Sequence, residues 1–145
     1  MASENTKEEP NFVVYHSSHE PKKAETPFSD AGQVGNTFYL SEQIGMDHST
    51  RELVSSGIDI ETKRTLENIK AVLSQHNLVM ADVVKVMVLL DNIEEFAAFN
   101  NIYASYFPQK PARTTFAVKA LARGAKIEIE VVAVRANSKT PNSKT

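Results

Sequence analysis

The sequence contains no cysteine and only five glycines among its 145 residues. Without cysteine the chain cannot form disulfides, thiol nucleophiles, iron–sulfur clusters or cysteine-rich zinc sites. A large excess of either charge is also missing. The sequence has 16 Lys and Arg and 18 Asp and Glu, which gives a formal net charge of −2. Proteins that bind mainly the nucleic-acid backbone are normally basic, so nucleic acid is disfavoured as the main partner.

Long apolar runs are absent as well. The longest, Val83 to Leu90, has eight residues and is interrupted by Lys85, whereas a membrane span needs about 20. The first ten residues lack the hydrophobic segment of a secretory signal, and their acidic side chains are not typical of a transit peptide. We therefore expect a soluble, cytoplasmic protein that does not enter a membrane.

Motifs for cofactors and metals are missing too. There is no Gly-x-Gly-x-x-Gly sequence and no phosphate-binding loop, and the four histidines do not have the spacing of metal ligands. Ser41 has no Gly-x-Ser-x-Gly setting that would make it a nucleophile. The sequence therefore predicts neither a cofactor nor a bound metal.

The length and the apolar patterns predict one α+β domain. Polar ends at residues 1–10 and 137–145 are predicted to be disordered tails around a single domain at 11–136. Strands are predicted near 12–15, 37–44, 83–90, 111–121 and 126–134, and helical spacing of apolar residues predicts helices near 59–77 and 94–107. We expect two amphipathic helices to pack on one face of a mixed sheet.

Helix starts and a turn are predicted from local residues. Ser56 or Asp59 is a candidate cap for the first helix, and a capping box starting at Asp91 is a candidate for the second. A turn near Arg123 predicts that the last two strands form a hairpin, which would place Glu128 roughly opposite Lys119.

The last strand has two different faces. One face is apolar, and the other carries Glu128 and Glu130 followed by Val132 and Val134. Two carboxylates followed by two valines suit neither a plain core nor a plain surface. A subunit interface with a polar pocket at one end explains this pattern.

Four polar residues are candidates for a site, each with a structural alternative. Arg113 follows a proline at a strand entrance and is either a carboxylate-binding fork or a surface arginine. Glu128 either activates a water or is an exposed carboxylate. Asn100, within the apolar stripe of the second helix, either ties down a loop or lines a pocket. Ser41 is either a site residue or a structural hydroxyl.

Together these segments resemble the Rid family of reactive intermediate deaminases, also called the YjgF family, over residues 26–135. The resemblance rests on the order and spacing of Gly35-Asn-Thr-Phe-Tyr-Leu-Ser-Glu-Gln-Ile44, Thr65-Leu-Glu-Asn-Ile-Lys-Ala-Val-Leu73, Val83-Val-Lys85, Phe96-Ala-Ala-Phe-Asn-Asn-Ile-Tyr103, Tyr106-Phe107, Pro111-Ala-Arg-Thr114 and Ile127-Glu-Ile-Glu-Val-Val-Ala-Val134.

This resemblance implies a chorismate-mutase-like fold, a homotrimer with clefts between subunits, and cofactor-free hydrolysis of 2-imino acids to 2-oxo acids and ammonia. It implies that Arg113 grips the substrate carboxylate and that Glu128 positions the attacking water. It also implies that Ser41 and Asn100 line the site.

Two positions differ from the family pattern. Phe28 stands where the family usually has tyrosine, and Glu42 replaces the glycine of a Ser-Gly-Gln sequence. Both are therefore candidate substrate-binding positions, and Glu42 could pair with Arg113 in place of the substrate carboxylate. These two differences leave open a non-catalytic trimer that binds a small carboxylate or a partner protein. The resemblance also leaves open an RNA-cleaving translation inhibitor, a role ascribed to some family members, which the charge balance disfavours.

Overall fold

A computed structural model describes residues 12–17, 25–54 and 57–136, which form a six-stranded mixed sheet, a two-stranded ribbon and two α-helices. The helices are α1 Ile58–Gln75 and α2 Phe96–Tyr106, and the strands are β1 Val13–His16, β2 Ala31–Val34, β3 Thr37–Leu40, β4 Met46–Asp47, β5 Glu52–Leu53, β6 Val83–Leu90, β7 Ala112–Ala117 and β8 Ile127–Val134. The predicted α+β class is confirmed. The predicted tails at 1–10 and 137–145 lie outside the described residues.

The strand order in the large sheet is β1-β2-β3-β8-β6-β7. All neighbouring strands are antiparallel except β6 and β7, which are parallel and are connected through α2. Parallel strands need a crossover connection of this kind. The predicted hairpin between the last two strands is therefore wrong: β8 lies between β3 and β6, and Glu128 is opposite Leu89 rather than Lys119.

Both helices pack on the same face of the sheet, which we call the inner face. Their apolar stripes and the alternate residues of the central strands form one buried core, which contains Leu66, Ile69, Leu73, Phe99, Tyr103, Val86, Val88, Ile127, Ile129 and Val131. The period-2 pattern of β8 is confirmed, since its odd-numbered residues are buried from Ile127 to Ala133.

The opposite face, the outer face, is not covered by any described element. The strand register places Tyr15, Tyr39 and Val132 in one row across it. Tyr15 is 74% exposed, Tyr39 is 53% exposed, and Phe116, farther along the same face, is 43% exposed. Large exposed apolar patches mark interaction surfaces.

The predicted helix caps Asp59 and Asp91 are wrong. The first helix begins after Gly57 without a side-chain cap, so Asp59 is not the cap, and Ser56 lies outside the described residues. Before α2 it is the side chain of Asn92, not Asp91, that accepts the backbone N–H of Glu94, at 3.0 Å. No helix among the described residues combines the length and the apolar character required to cross a membrane.

Candidate functional site

The six predicted site residues line two separate cavities of the chain. The carboxylate cavity, about 260 Å³, is bordered by Phe28, Ser41, Glu42 and Glu128. The arginine cavity, about 330 Å³, is bordered by Asn100 and Arg113. Glu42 and Arg113 therefore line different cavities of the chain.

The wall of the carboxylate cavity is a short extension of the sheet beyond β3. The backbone of Gln43 donates to Ile129 O at 2.8 Å and accepts from Ile129 N–H at 3.0 Å, forming an isolated antiparallel bridge. Side chains alternate along an extended chain, and Gln43 and Ile129 are both buried. Their neighbours Glu42 and Glu128 consequently point to the opposite face, where both border the cavity.

The strand extension is held in place by α1. The side-chain amide of Asn68 donates to the carbonyl oxygens of Ile44 at 3.0 Å and Met46 at 2.8 Å. Gly45 lies so close to the helix that a Cβ there would be 3.0 Å from Glu61 O. A glycine permits this approach, which brings residues 44–46 against the helix.

Ser41 has a structural contact. Its hydroxyl donates to Ser29 O at 2.6 Å, and its backbone N–H donates to Asp30 O at 2.9 Å. Both bonds fasten the segment that carries Phe28, whose exposed ring borders the cavity. The geometry favours the structural alternative for the Ser41 hydroxyl.

The surroundings of Glu128 disfavour the ionised form of its carboxyl. Burial raises the pKa of its carboxyl, and the negative charges of Glu42 and Glu130 raise that pKa further. A carboxyl with a raised pKa can both accept and return a proton closer to neutral pH. This behaviour suits an acid–base role.

Arg113 is fixed by neighbours on the inner face. Its Nη1 donates to the side-chain oxygen of Asn100 at 2.7 Å. Its guanidinium carbon lies 5.6, 5.3 and 4.6 Å from the ring centroids of Phe96, Phe99 and Tyr103. Arginine on aromatic faces is stabilised by cation–π attraction. Arg113 is half-buried, so it is not a simple surface arginine.

Some lining residues were not predicted from the sequence. His48, Arg51 and Arg123 border the carboxylate cavity, and Lys110 borders the arginine cavity. Arg51, Lys110 and Arg123 all have positive φ, a conformation that their sequence does not signal. The helical spacing of the aromatic residues around Arg113 indicates a buried helix face, but it does not reveal which cation packs against them. Among the described residues, no group of three His, Asp or Glu side chains could hold a metal.

Known proteins resemble this chain in sequence and in fold. A family model described as endoribonuclease L-PSP matches residues 17–135. A human protein named 2-iminobutanoate/2-iminopropanoate deaminase is 44% identical over 110 residues, covering 75% of this chain and 80% of its own. A protein of the same name from Dermatophagoides farinae is 42% identical over 109 residues, covering 74% and 85% of the two chains.

Solved structures agree with these sequence matches. A Rid-family protein from Yersinia pestis has a TM-score of 0.80 and 35% identity, covering 86% of this chain and 100% of its own. RidA from a Psychrobacter species has a TM-score of 0.77 and 32% identity, covering 84% and 99%. The chain belongs to the YjgF/Rid family.

Proposed function

We propose that this protein hydrolyses 2-imino acids of the 2-iminobutanoate and 2-iminopropanoate class to 2-oxo acids and ammonia. Relatives at 41–44% identity carry the name of that activity. The observation that carries the proposal is the fixed guanidinium of Arg113 at a cavity, because the substrate class is defined by a carboxylate beside the imine.

Arg113 binds the substrate carboxylate in this proposal. Its Nη1 is already directed by Asn100, and three aromatic rings hold its guanidinium. A planar fork held in this way forms paired hydrogen bonds with a carboxylate and loses little side-chain entropy. Binding of the substrate carboxylate therefore orients the imine carbon, because the Arg113 side chain is already held in place.

Glu128 transfers the protons. Its carboxylate accepts a proton from water as the water oxygen bonds to the imine carbon and the C=N electron pair moves to nitrogen. The proton passes to that nitrogen and gives a carbinolamine with one hydroxyl and one amino group. Glu128 then takes the hydroxyl proton and passes it to the amino nitrogen, so that the C–N bond breaks and ammonia leaves as the C=O bond forms. The raised pKa of Glu128 favours both directions of this transfer. The reaction consumes only substrate and water.

The proposed active unit is a homotrimer. Glu128 and Arg113 border different cavities of one chain, so a cleft between subunits is needed to bring the two groups to one substrate. The uncovered apolar outer face, with Tyr15, Tyr39 and Phe116, offers the surface for such an assembly. In this arrangement the carboxylate cavity of one subunit meets the arginine cavity of the next.

The experiment is a hydrolysis assay in which an amino-acid oxidase generates 2-iminobutanoate in the presence of the protein. We expect 2-oxobutanoate and ammonia to form faster than in the spontaneous reaction. Formation of 2-oxobutanoate at only the spontaneous rate would contradict the proposal.

A second candidate is a non-catalytic trimer that binds a small carboxylate or a partner protein. It is favoured by the carboxylate of Glu42 in the same cavity as Glu128, and by Phe28, which has no hydroxyl to donate. If it holds, the natural chain is inactive and the double change of Glu42→Gly with Phe28→Tyr creates hydrolysis. A natural chain that is already active rules this candidate out.

A further inference from the structure

Glu42 adds a second negative charge to the wall that holds Glu128. The bridge between Gln43 and Ile129 is antiparallel, so its register places Glu42 opposite Glu130 and diagonal to Glu128. Diagonal neighbours on one face of an antiparallel pair are about 7–8 Å apart. An extended arginine side chain spans a distance of this size.

Both carboxylates are available to a ligand. Neither Glu42 nor Glu128 has a hydrogen bond or an ion pair with any residue in the described part of the chain. Glu42 is exposed, and Glu128 is half-buried. A cation that enters the cavity along this wall would meet two carboxylates with no competing positive partner.

Two arginines, Arg51 and Arg123, also border the cavity. Arg51 and Arg123 belong to the loops around residues 48–51 and 122–124, and Nη1 of Arg123 donates to Arg51 O at 3.2 Å. The carboxylates belong to the extended wall formed by residue 42 and β8. The arginines of the cavity therefore come from loops that are separate from the segments that carry Glu42 and Glu128.

We propose that Glu42 makes this site select 2-imino acids whose side chain ends in a cation, at about the length of an arginine side chain. This inference rests on the proposed function. With the imine carbon at Glu128 and the substrate carboxylate at Arg113, the side chain extends along the wall to Glu42. An ion pair there favours a guanidinium over a neutral group of the same shape.

The experiment compares two substrates of matched shape. The imines of arginine and citrulline are generated by an amino-acid oxidase. The arginine-derived imine ends in a guanidinium cation, and the citrulline-derived imine ends in a neutral urea group of nearly the same shape. For the natural protein, we expect kcat/KM for the arginine-derived imine to exceed that for the citrulline-derived imine about tenfold, the size of one partly screened ion pair. Glu42→Gln should bring the ratio close to one.

Glu130→Gln is the matched control, because it removes the same charge from the same face but Glu130 does not border the cavity. It should keep the natural ratio. A ratio near one in the natural protein, or a ratio that Glu42→Gln leaves unchanged, overturns the selection by charge.

2-Iminobutanoate, whose side chain is small and uncharged, separates the two proposals. Its hydrolysis together with a ratio near one overturns only the role of Glu42. If the protein accelerates hydrolysis of none of the three imines, both the proposed function and the selection by charge fail.

Discussion

Arg113 on β7 and Asn100 on α2 are joined by a 2.7 Å hydrogen bond from the guanidinium Nη1 to the amide oxygen Oδ1. The parallel strand β7 leaves Arg113 on the inner face, where α2 packs. The crossover that makes β6 and β7 parallel therefore also brings the cation to the helix that orients it. In the proposed reaction, Asn100 acts through Arg113.

Removal of this contact should weaken substrate binding. For Asn100→Ala we expect KM to rise and kcat/KM to fall about tenfold or more, because a hydrogen bond to a charged group contributes about 1.5–3 kcal/mol. Steady-state kinetics with 2-iminobutanoate measures this. Asn101→Ala, an exposed neighbour on the same helix, is the control and should retain natural kinetics. Equal kinetics for the two variants would contradict a positioning role for Asn100.

The pH profile should respond to Glu42. The negative charge of Glu42 helps to raise the pKa of Glu128, so Glu42→Gln lowers that pKa. If ionised Glu128 accepts the proton from water, the acidic limb of the kcat/KM profile moves to lower pH. Glu52→Gln, an exposed change on β5 outside the cavity, should leave the limb in place. An unmoved limb in Glu42→Gln would mean that Glu128 is not the group whose titration controls the rate.

Stability should depend on pH through Glu61. Burial raises the pKa of its carboxyl, although the backbone N–H of Lys126 donates to its Oε1 at 2.9 Å. A raised folded-state pKa gives a contribution that is complete below the unfolded pKa of about 4.3 and is lost as the pH rises through the folded value. Glu61→Gln keeps an acceptor oxygen without the charge. We expect its unfolding free energy to rise relative to the natural protein between pH 4 and pH 7.

Urea unfolding at several pH values measures this difference. Glu61→Ala is the companion variant, because it leaves the Lys126 N–H without its acceptor and should cost about 1–3 kcal/mol at every pH. A constant difference between Glu61→Gln and the natural protein across the range would contradict the raised pKa.

The outer face should control assembly. Tyr39→Asp places a charge within the apolar row of the sheet, so we expect a folded chain of 16.1 kDa instead of three times that mass. Native mass spectrometry reports the assembly, and circular dichroism reports the fold. Val79→Asp, at an exposed apolar residue outside the sheet, should remain trimeric. A natural protein that is monomeric at micromolar concentration would contradict the trimer and the cleft between subunits.

The strongly patterned elements could be predicted from the sequence. The stripe of α1, the apolar run of β6 and the alternation of β8 each have enough periodic residues to define their buried face. Strand β2 was not predicted, because Ala31, Gly32 and Gln33 have little β-propensity and form a strand only through pairing with β1 and β3. The predicted hairpin is wrong because strands that are adjacent in sequence often pair, and β7 and β8 are adjacent in sequence. Here the α2 crossover places β7 at the edge of the sheet, and β8 pairs with β3 and β6 instead.

The candidate site was predictable in its residues but not in its arrangement. Arg113 and Glu128 are candidates from their residue type and position, and the family resemblance implies their roles. Their separation into two cavities depends on strand order, which local patterns do not encode. The environment of Glu128 depends on the bridge at Gln43, an isolated pair that has no sequence signature.

The most direct test of imine hydrolysis is the rate of 2-oxobutanoate formation from oxidase-generated 2-iminobutanoate, compared among the natural protein, Arg113→Ala and a reaction without protein. Semicarbazide, which traps imine, reports how much intermediate escapes. We predict that the natural protein accelerates hydrolysis and that Arg113→Ala, with an unchanged circular dichroism spectrum, loses this acceleration. A natural protein that gives the spontaneous rate, or an Arg113→Ala variant as fast as the natural protein, would contradict the account.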